Sequence, residues 1–159
     1  MAQRLAPALL LAAVALLAVQ TVAALEPGLT ATVVRVVDGD TIQVRVGDQT
    51  EKVRYIGIDA PETRHPTRGE EPGGREATAV NRHLVDGRTV RLELDVRHRD
   101  RYGRLLAYVH VDGIMVNAEL VRLGYAHAVS VPPNVRHQHA LRALERQARD
   151  AGRGLWSRL

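Results

Sequence analysis

The chain of 159 residues contains no cysteine and no phenylalanine, and its aromatic side chains are four tyrosines and one tryptophan. Without cysteine there is no disulfide to support the fold, and any metal site has to do without thiolate ligands. So few aromatic rings argue against a broad platform for stacking nucleic-acid bases. The seven histidines are scattered, and we expect them to be surface or hydrogen-bonded residues. The sequence also lacks a glycine-rich phosphate loop, an internal repeat and a low-complexity tract.

The one long apolar run lies at the N-terminus and predicts a secretory signal peptide. Arg4 precedes the run at residues 5–19, and the small residues Val22-Ala23-Ala24 follow at the spacing that signal peptidase recognises. We expect cleavage after Ala24, so that residues 1–24 are the signal peptide and residues 25–159 form one folded domain. The protein would then be secreted or periplasmic. The alternative is an uncleaved membrane anchor, although the run is short for a span of about 20 residues.

The domain that remains after cleavage is basic. Loss of residues 1–24 removes Arg4 and no acid, so 21 basic and 18 acidic side chains remain and the net charge is +3. All of the basic side chains except Lys52 are arginines. A basic chain suits a polyanionic partner, but this small excess does not by itself identify a nucleic-acid-binding protein.

Short strands precede helices along most of the domain. Alternating and β-branched residues predict a three-stranded meander and then three further strands. The strands are expected at residues 30–37, 42–46, 50–58, 89–94, 105–111 and 114–116. Apolar residues at helical spacing predict helices that end near Gly87, Gly124 and Gly152. The pattern predicts a mainly β, α+β fold: a five-stranded, closed OB-fold barrel with about three helices.

Three carboxylates stand close to neighbouring strand ends. Asp40 begins the predicted second strand and Asp59 ends the third, and antiparallel neighbours can bring such ends together. Glu62 follows three residues later, and Pro61 stiffens the turn that sets its direction. Converging carboxylates repel each other, and a calcium or magnesium ion would remove the conflict. The donors are all oxygen atoms, which disfavours zinc.

Two arginines accompany these carboxylates. Arg54 lies in the predicted third strand in phase with Ile56 and Ile58, so we expect its guanidinium to point toward the apolar side. A buried cation there needs carboxylates, a bound anion, or both, because an unpaired buried ion is strongly destabilising. A structural salt bridge is the alternative role for Arg54. Arginines suit a phosphate and carboxylates suit a cation, so the combination with Arg104 favours a nuclease.

Three short blocks carry a family resemblance. They are Asp38-Gly39-Asp40-Thr41, then Arg54 with Asp59-Ala60-Pro61-Glu62-Thr63, and Tyr102-Gly103-Arg104-Leu105-Leu106-Ala107-Tyr108. In this order and spacing they resemble the signature blocks of the staphylococcal nuclease-like (thermonuclease or micrococcal nuclease) family. Further matches are Arg64-His65-Pro66, the run from Val116-Asn117 to Gly124, and Pro133-Asn134. The resemblance covers about residues 30–156.

The resemblance implies an OB-fold barrel with three helices and calcium as the cofactor. It implies that the side chains of Asp40 and Asp59 and the backbone carbonyl of Ala60 hold the calcium ion. Asp38 and Glu62 would act through bound water.

The resemblance also implies the catalytic roles. Glu62 would position or deprotonate the attacking water, and Arg54 and Arg104 would clamp the phosphate, with Arg104 near the leaving oxygen. Tyr102 would contact the substrate. Family members cleave DNA and RNA on the 5′ side of the phosphodiester and leave 3′-phosphates. Because arginine normally stays charged, we favour electrostatic stabilisation for both arginines.

One departure from the family pattern concerns Val129 and Val131. They stand near the positions of two tyrosines that contact the nucleotide in the best-known family member. Stacking on an aromatic ring contributes roughly 1–3 kcal/mol per base, so nucleotide binding is expected to be weaker here. The chemistry takes place at the phosphate and need not suffer.

The sequence therefore predicts a secreted, calcium-dependent nuclease that cleaves DNA and RNA with little sequence preference. We expect no stable membrane association after signal cleavage and no obligate protein partner. One alternative is a non-catalytic nucleic-acid or protein-binding OB module of the same family. Another is an exported phosphodiesterase for small nucleotides. The retention of Asp40, Arg54, Asp59, Glu62 and Arg104 favours the nuclease.

Overall fold

A computed structural model describes residues 28–63, 67 and 69–158 of the chain. The predicted signal peptide at residues 1–24 lies outside the described residues, as does the Arg64-His65-Pro66 match. Among the described residues, none of the helices combines the length and the apolar character that a membrane crossing needs.

The described residues form eight strands: β1 (Leu29–Val36), β2 (Thr41–Val46), β3 (Gln49–Tyr55), β4 (Ile58–Asp59), β5 (Thr89–Glu93), β6 (Leu105–Val111), β7 (Ile114–Met115) and β8 (His127–Ala128). Five of them, β1, β2, β3, β5 and β6, close into a barrel. The first three form an antiparallel meander, β5 pairs with β1, and β6 pairs with β5. A parallel pairing of β3 with β6, in which Val53 lies opposite Leu105, closes the ring. The predicted five-stranded OB-fold barrel is confirmed.

Three helices pack around the barrel, as the sequence predicted. They are α1 (Gly74–Val85), α2 (Val116–Arg122) and α3 (Gln138–Asp150), and a short 3₁₀ turn (Gly154–Arg158) follows. The inward residues of the strands, among them Ile42, Val44 and Leu92, are fully buried and form one core with Leu120 and Leu141 of the helices. Because burial of each such side chain contributes about 1.5–3 kcal/mol, this core is the main source of the fold's stability.

The predicted third strand is too long by three residues. β3 ends at Tyr55, and Gly57 turns the chain with a φ of 76°. A side chain at position 57 would also collide with Leu141, whose Cδ1 lies 2.7 Å from the place a Cβ would occupy. The following segment, β4, leaves the main sheet and pairs with β8 instead. The bend brings Asp59 alongside the end of β3.

The bend also overturns the predicted orientation of Arg54. Val53 and Tyr55 are 0% and 2% exposed, so the core-facing side of β3 is the one opposite Arg54. Ile56 and Ile58 are buried as well, but they lie beyond the point where strand alternation stops. The Arg54 side chain therefore leaves the barrel on its outer face, where it is 19% exposed.

Two of the histidines, His110 and His137, are hydrogen-bonded residues, as expected from the sequence. His110 Nε2 and His137 Nε2 both lie 2.8 Å from the carboxylate of Glu93, which also accepts a bond from Arg136. Burial acts to raise the pKa of Glu93, but the bonds from His137, Arg136 and His110 prevail and lower it to about 2. These bonds connect β5, β6 and the segment before α3.

Candidate active site

Asp40 is the buried anchor of the site. It lies in the turn between β1 and β2 and is only 5% exposed. Its Oδ1 accepts a hydrogen bond from the Thr41 hydroxyl at 3.0 Å, and its Oδ2 accepts one from the Ala60 backbone N–H at 2.7 Å. Burial raises the pKa of Asp40 to about 7, with Arg54 acting in the opposite direction and Asp38 adding to the rise. The carboxylate thus lies where its charged form needs a cation.

Arg54 joins two of the predicted carboxylates. Its Nη1 lies 2.8 Å from Asp40 Oδ2, and its Nη2 lies 2.8 Å from Asp59 Oδ1. Nη1 also donates to the Ile58 carbonyl at 3.0 Å, which fixes the guanidinium against β4. The Asp59 side chain is 62% exposed. One rigid, planar cation thus holds a buried and an exposed carboxylate side by side.

Close packing fixes the turn that carries Asp38 and Asp40. A Cβ at Gly39 would lie 2.6 Å from Ala60 Cβ and 2.9 Å from Ala77 Cβ, so only glycine fits between the two segments. The Asp40 backbone N–H donates to Asp38 Oδ1 at 3.1 Å. Asp38, which the resemblance implies holds the calcium ion through water, therefore lies next to Asp40.

A buried hydrogen-bond chain supports this turn from α1. Asn81, which is fully buried, donates from Nδ2 to the Asp38 carbonyl at 2.8 Å and accepts from the Tyr55 hydroxyl at 2.9 Å. Sequence reasoning missed Asn81 and assigned no separate role to Thr41, which it named only as part of the first block. The available signal was an asparagine on the apolar face of a predicted helix. Such an amide is buried, and a buried amide needs hydrogen-bond partners, which would have indicated a structural role for Asn81.

Glu62 makes no hydrogen bond or ion pair to Asp40, Arg54 or Asp59 within the described residues. Its backbone is tied to Glu71 by two bonds: its N–H donates to Glu71 Oε2 at 3.0 Å, and its carbonyl accepts from the Glu71 N–H at 2.8 Å. Its side chain is exposed to solvent. Between residues 28 and 158, as far as they are described, no three or more acidic or histidine side chains form a metal-holding group. The direct convergence of Asp40, Asp59 and Glu62 expected from sequence is not seen, because Arg54 occupies the space between the two aspartates.

Arg104 is held by an aspartate that sequence reasoning missed. Its Nε donates to Asp100 Oδ2 at 2.7 Å, and its backbone N–H donates to Asp100 Oδ1 at 3.0 Å. Asp100 Oδ1 also accepts from the Tyr102 N–H at 2.9 Å. Burial raises the pKa of Asp100, but these bonds outweigh it and lower the pKa overall. An aspartate at the start of a turn that ends in glycine was a readable signal.

Tyr102 is an exposed ring beside two guanidiniums. It is 67% exposed, and the Cζ atoms of Arg101 and Arg104 lie 4.7 Å and 5.5 Å from its ring centre. Such stacking of arginine on an aromatic ring restrains both groups. The predicted substrate residue Tyr102 thus belongs to one exposed unit with the predicted catalytic residue Arg104.

Three open clefts meet around these residues. The Tyr102 cleft, about 340 Å³, contains Arg54, Tyr102, Arg104, Val129 and Val131 among its walls. The Lys52 cleft, about 510 Å³, is lined by Lys52, Glu62, Tyr102, Gly103 and Arg104. The Arg82 cleft, about 830 Å³, includes Asp38, Glu62 and Arg82. Glu62 is shared by the second and third clefts, and Arg104 by the first and second.

The arrangement suits an anion with two charged oxygens. Arg54 and Arg104 face one cleft, and oxygen-rich groups lie at its edge. In an OB barrel with a solvent-open cleft, arginines of this kind could bind a phosphate, and the neighbouring carboxylates could contribute to holding a hard cation.

Comparison with known proteins identifies the family. The family model described as "Staphylococcal nuclease homologue" matches residues 52–158. A thermonuclease of Staphylococcus hyicus is 38% identical over 125 residues, which are 79% of this chain and 74% of that protein. The chain belongs to the staphylococcal nuclease homologue family, as the sequence blocks predicted.

Two relatives from Bacillus subtilis (strain 168) are longer proteins. Endonuclease YncB is 39% identical over 126 residues, which cover 78% of this chain and 60% of that protein. The SPbeta prophage-derived endonuclease YokF is 40% identical over 126 residues, or 78% of this chain and 43% of that protein. The names of all three relatives are those of nucleases.

Proposed function

We propose that this chain is an exported, calcium-dependent nuclease that hydrolyses phosphodiester bonds of DNA and RNA with little sequence preference. One observation carries the proposal: Arg54 is bound to Asp40 and Asp59 and faces the same cleft as Arg104. The relatives named as nucleases support the reaction type. The substrate breadth and the export rest on the family resemblance and on the N-terminal apolar run.

The two arginines would bind and polarise the phosphate. Among the described residues, the hydrogen bonds and ion pairs of Arg54 use its two terminal nitrogens, so its Nε–H is available to an anion. Arg104 uses Nε for Asp100 and keeps its terminal nitrogens for a ligand. Both side chains are restrained before substrate arrives, so little reorganisation is needed when charge develops on the phosphate oxygens. Arg104 lies on the side that we assign to the leaving 5′-oxygen.

The donor set fits a calcium ion. Asp40 and Asp59 pair with the same guanidinium, the Ala60 backbone bonds to Asp40, and Asp38 is adjacent, so these candidate ligands from the described residues all offer oxygen atoms. Burial raises the pKa of Asp40 although Arg54 acts in the opposite direction, so a second cation at this carboxylate would stabilise its charged form. Asp40, Asp59 and the Ala60 carbonyl would hold calcium directly, with Asp38 through water. Bound calcium would supply positive charge to the phosphate and to the water that attacks it.

Glu62 would act on that water. Its exposed side chain lines the Lys52 cleft together with Arg104, and its backbone is fixed by Glu71. A carboxylate so placed can orient the attacking water and accept its proton. The water proton would pass to Glu62 as the new oxygen–phosphorus bond forms. The bond between phosphorus and the 5′-oxygen would break on the opposite side, and the 5′-oxygen would take a proton from solvent. The phosphate would stay on the 3′-oxygen.

The walls of the Tyr102 cleft favour a permissive substrate site. Val129 and Val131 line it in place of aromatic rings, and Val131 is 51% exposed. With valine at these two positions and Tyr102 as the exposed ring of this cleft, we expect the cleft to bind the phosphate more than the base. We expect a high KM and little base preference.

Digestion of a long duplex separates this proposal from its rivals. We expect products of intermediate length early in the reaction, because an endonuclease cuts within the chain. Their 5′ ends should accept label from polynucleotide kinase without phosphatase treatment, since 5′-hydroxyls are left. Release of mononucleotides alone would identify a phosphodiesterase for small nucleotides. Intact DNA and RNA, bound by the protein, would identify a non-catalytic module.

Replacing Arg104 by lysine should mainly reduce turnover. Arg104→Lys keeps the charge but loses the planar fork that binds a phosphate through two donors. We expect a cost of about 3 kcal/mol in kcat, as for one lost oxyanion donor. Arg99→Lys is the matched control. Arg99 lies in the same loop as Arg104 and also pairs with a carboxylate, that of Glu51 in β3, but it lines none of the three clefts. A lower Tm with unchanged kcat in Arg104→Lys would show a purely structural arginine.

A further inference from the structure

The Arg82 cleft lies between the end of β1 and the outer face of α1. It begins at Asp38 and Glu62 and carries three arginines, Arg35, Arg75 and Arg82. Nothing in the proposed chemistry uses these arginines, although they lie in the largest of the three clefts.

The three arginines are available to a ligand. All three are exposed, and neither Arg35 nor Arg82 forms an ion pair within the described part of the chain. Arg75 pairs with Glu70 at 2.7 Å, but its side chain is 79% exposed, and such exposed pairs contribute little. Beyond Asp38 and Glu62 at the catalytic end, the cleft walls hold three arginines against two acids, Glu70 and Asp86.

Helix geometry sets two of the arginines in a row. Arg75 and Arg82 are seven residues apart on α1, so they lie on one face with their Cα atoms about 10 Å apart. Thr78 lies between them on the same face. A strand with phosphates about 3.4 Å apart along the helix axis presents roughly three of them over that distance. The row matches the repeat of a polyanion better than a single phosphate.

The Arg82 cleft adjoins the catalytic centre at Glu62. Glu62 lines both this cleft and the Lys52 cleft, and the Lys52 cleft shares Tyr102 and Arg104 with the Tyr102 cleft. A strand that lies in the Tyr102 cleft can therefore run past Glu62 and leave along α1.

We propose that the Arg82 cleft binds the part of a polynucleotide on the 5′ side of the cut, with Arg35, Arg75 and Arg82 contacting its phosphates. The polarity follows from the assignment of Arg104 to the leaving 5′-oxygen, which places the 3′ part in the Tyr102 cleft. The inference rests on the proposed nuclease function and deepens it. Substrate is then held on both sides of the cut, which is the geometry of an endonuclease. The added phosphate contacts offset the weaker base stacking expected with valine at positions 129 and 131.

Binding to labelled oligothymidylates tests the cleft without any need for cleavage. The cleft variant is Arg35→Ala/Arg75→Ala/Arg82→Ala. The control variant, Arg45→Ala/Arg142→Ala/Arg146→Ala, removes the same charge from exposed arginines that line none of the three clefts. Fluorescence anisotropy is measured on the full chain in excess chelator with oligonucleotides of about three and about twelve residues, spanning few and many phosphate contacts. Gels verify that the oligonucleotide stays intact, and melting curves verify folding.

We expect the cleft variant to bind the long oligonucleotide at least about tenfold more weakly than the control variant does. Its slope of log K against log salt concentration should be smaller by about 2, because each of the three lost phosphate contacts contributes about 0.7. The short oligonucleotide should be affected much less. If the cleft variant fails to fold, Arg82→Ala alone should lower the slope by about 0.7. Equal binding by both triple variants, or no length-dependent binding by the parent protein, would overturn the inference even if the protein cuts DNA. Length-dependent binding through the cleft by a protein that cuts nothing would instead refute the proposed function.

Discussion

Glu62→Gln should lower kcat on DNA by roughly 10²–10⁴-fold while the protein stays folded. The amide keeps the shape of the side chain but cannot accept a proton from the attacking water. Stability should change little, because Glu62 is exposed and its visible bonds are made by its backbone. Turnover under saturating substrate and a thermal melt on the same preparation measure the two effects.

The matched control for this experiment is Glu119→Gln, the same chemical change on α2. Glu119 pairs with Arg122 and lines none of the three clefts. Its turnover should equal that of the parent protein. A loss below about tenfold in Glu62→Gln, well short of the range for a lost general base, would show that another group activates the water.

Removal of calcium should abolish cleavage altogether. Without the ion, Arg54 alone neutralises Asp40 and Asp59, and the phosphate loses the positive charge that would draw electrons from it. Activity should return when calcium is added back and should return poorly with magnesium, which requires tighter octahedral geometry. Initial rates on DNA and RNA in chelator, calcium and magnesium measure this. Full activity in excess chelator would exclude a metal-dependent reaction.

The sequence predicted the barrel well because its signals are local. Alternating apolar residues, turn glycines and helical spacing are each visible within a few residues, and the structure places strands and helices close to the predicted bounds. The exception is residues 56–58, where Ile56 and Ile58 suggested a continued strand. Gly57 was the contrary signal, since an isolated glycine inside a strand pattern often marks a bend or bulge.

The same bend explains why the site was only partly predictable. The need of Arg54 for carboxylates followed from its charge, and the structure shows it bound to both Asp40 and Asp59. Its outward direction depends on the end of β3, which strand alternation alone misplaced. The support of Asp38 by Asn81 joins residues 43 positions apart, so no local pattern could reveal it. Asp100 and Arg104 are four positions apart, and that pairing could have been read from the turn.

The catalytic and metal-binding roles of these residues stay predictions of the resemblance and the geometry together. The structure brings Asp38, Asp40, Arg54 and Asp59 into one hydrogen-bonded group. It places Glu62, Tyr102 and Arg104 around an adjoining cleft. Within the described part of the chain, no hydrogen bond or ion pair joins these two groups, and the proposed reaction requires a phosphate to lie between them.

The most direct test of the central claim, that Asp40 and Asp59 hold a catalytic calcium ion, is calorimetric titration of calcium into Asp59→Asn. Asp59 is exposed, so the variant should fold, and Asp48→Asn in the exposed β2–β3 turn serves as control. We predict that the parent protein and the control bind one calcium ion with equal affinity. Asp59→Asn should bind it at least about tenfold more weakly, because a charged ligand is lost. Unchanged calcium affinity in Asp59→Asn, or no calcium binding by the parent protein, would contradict the account.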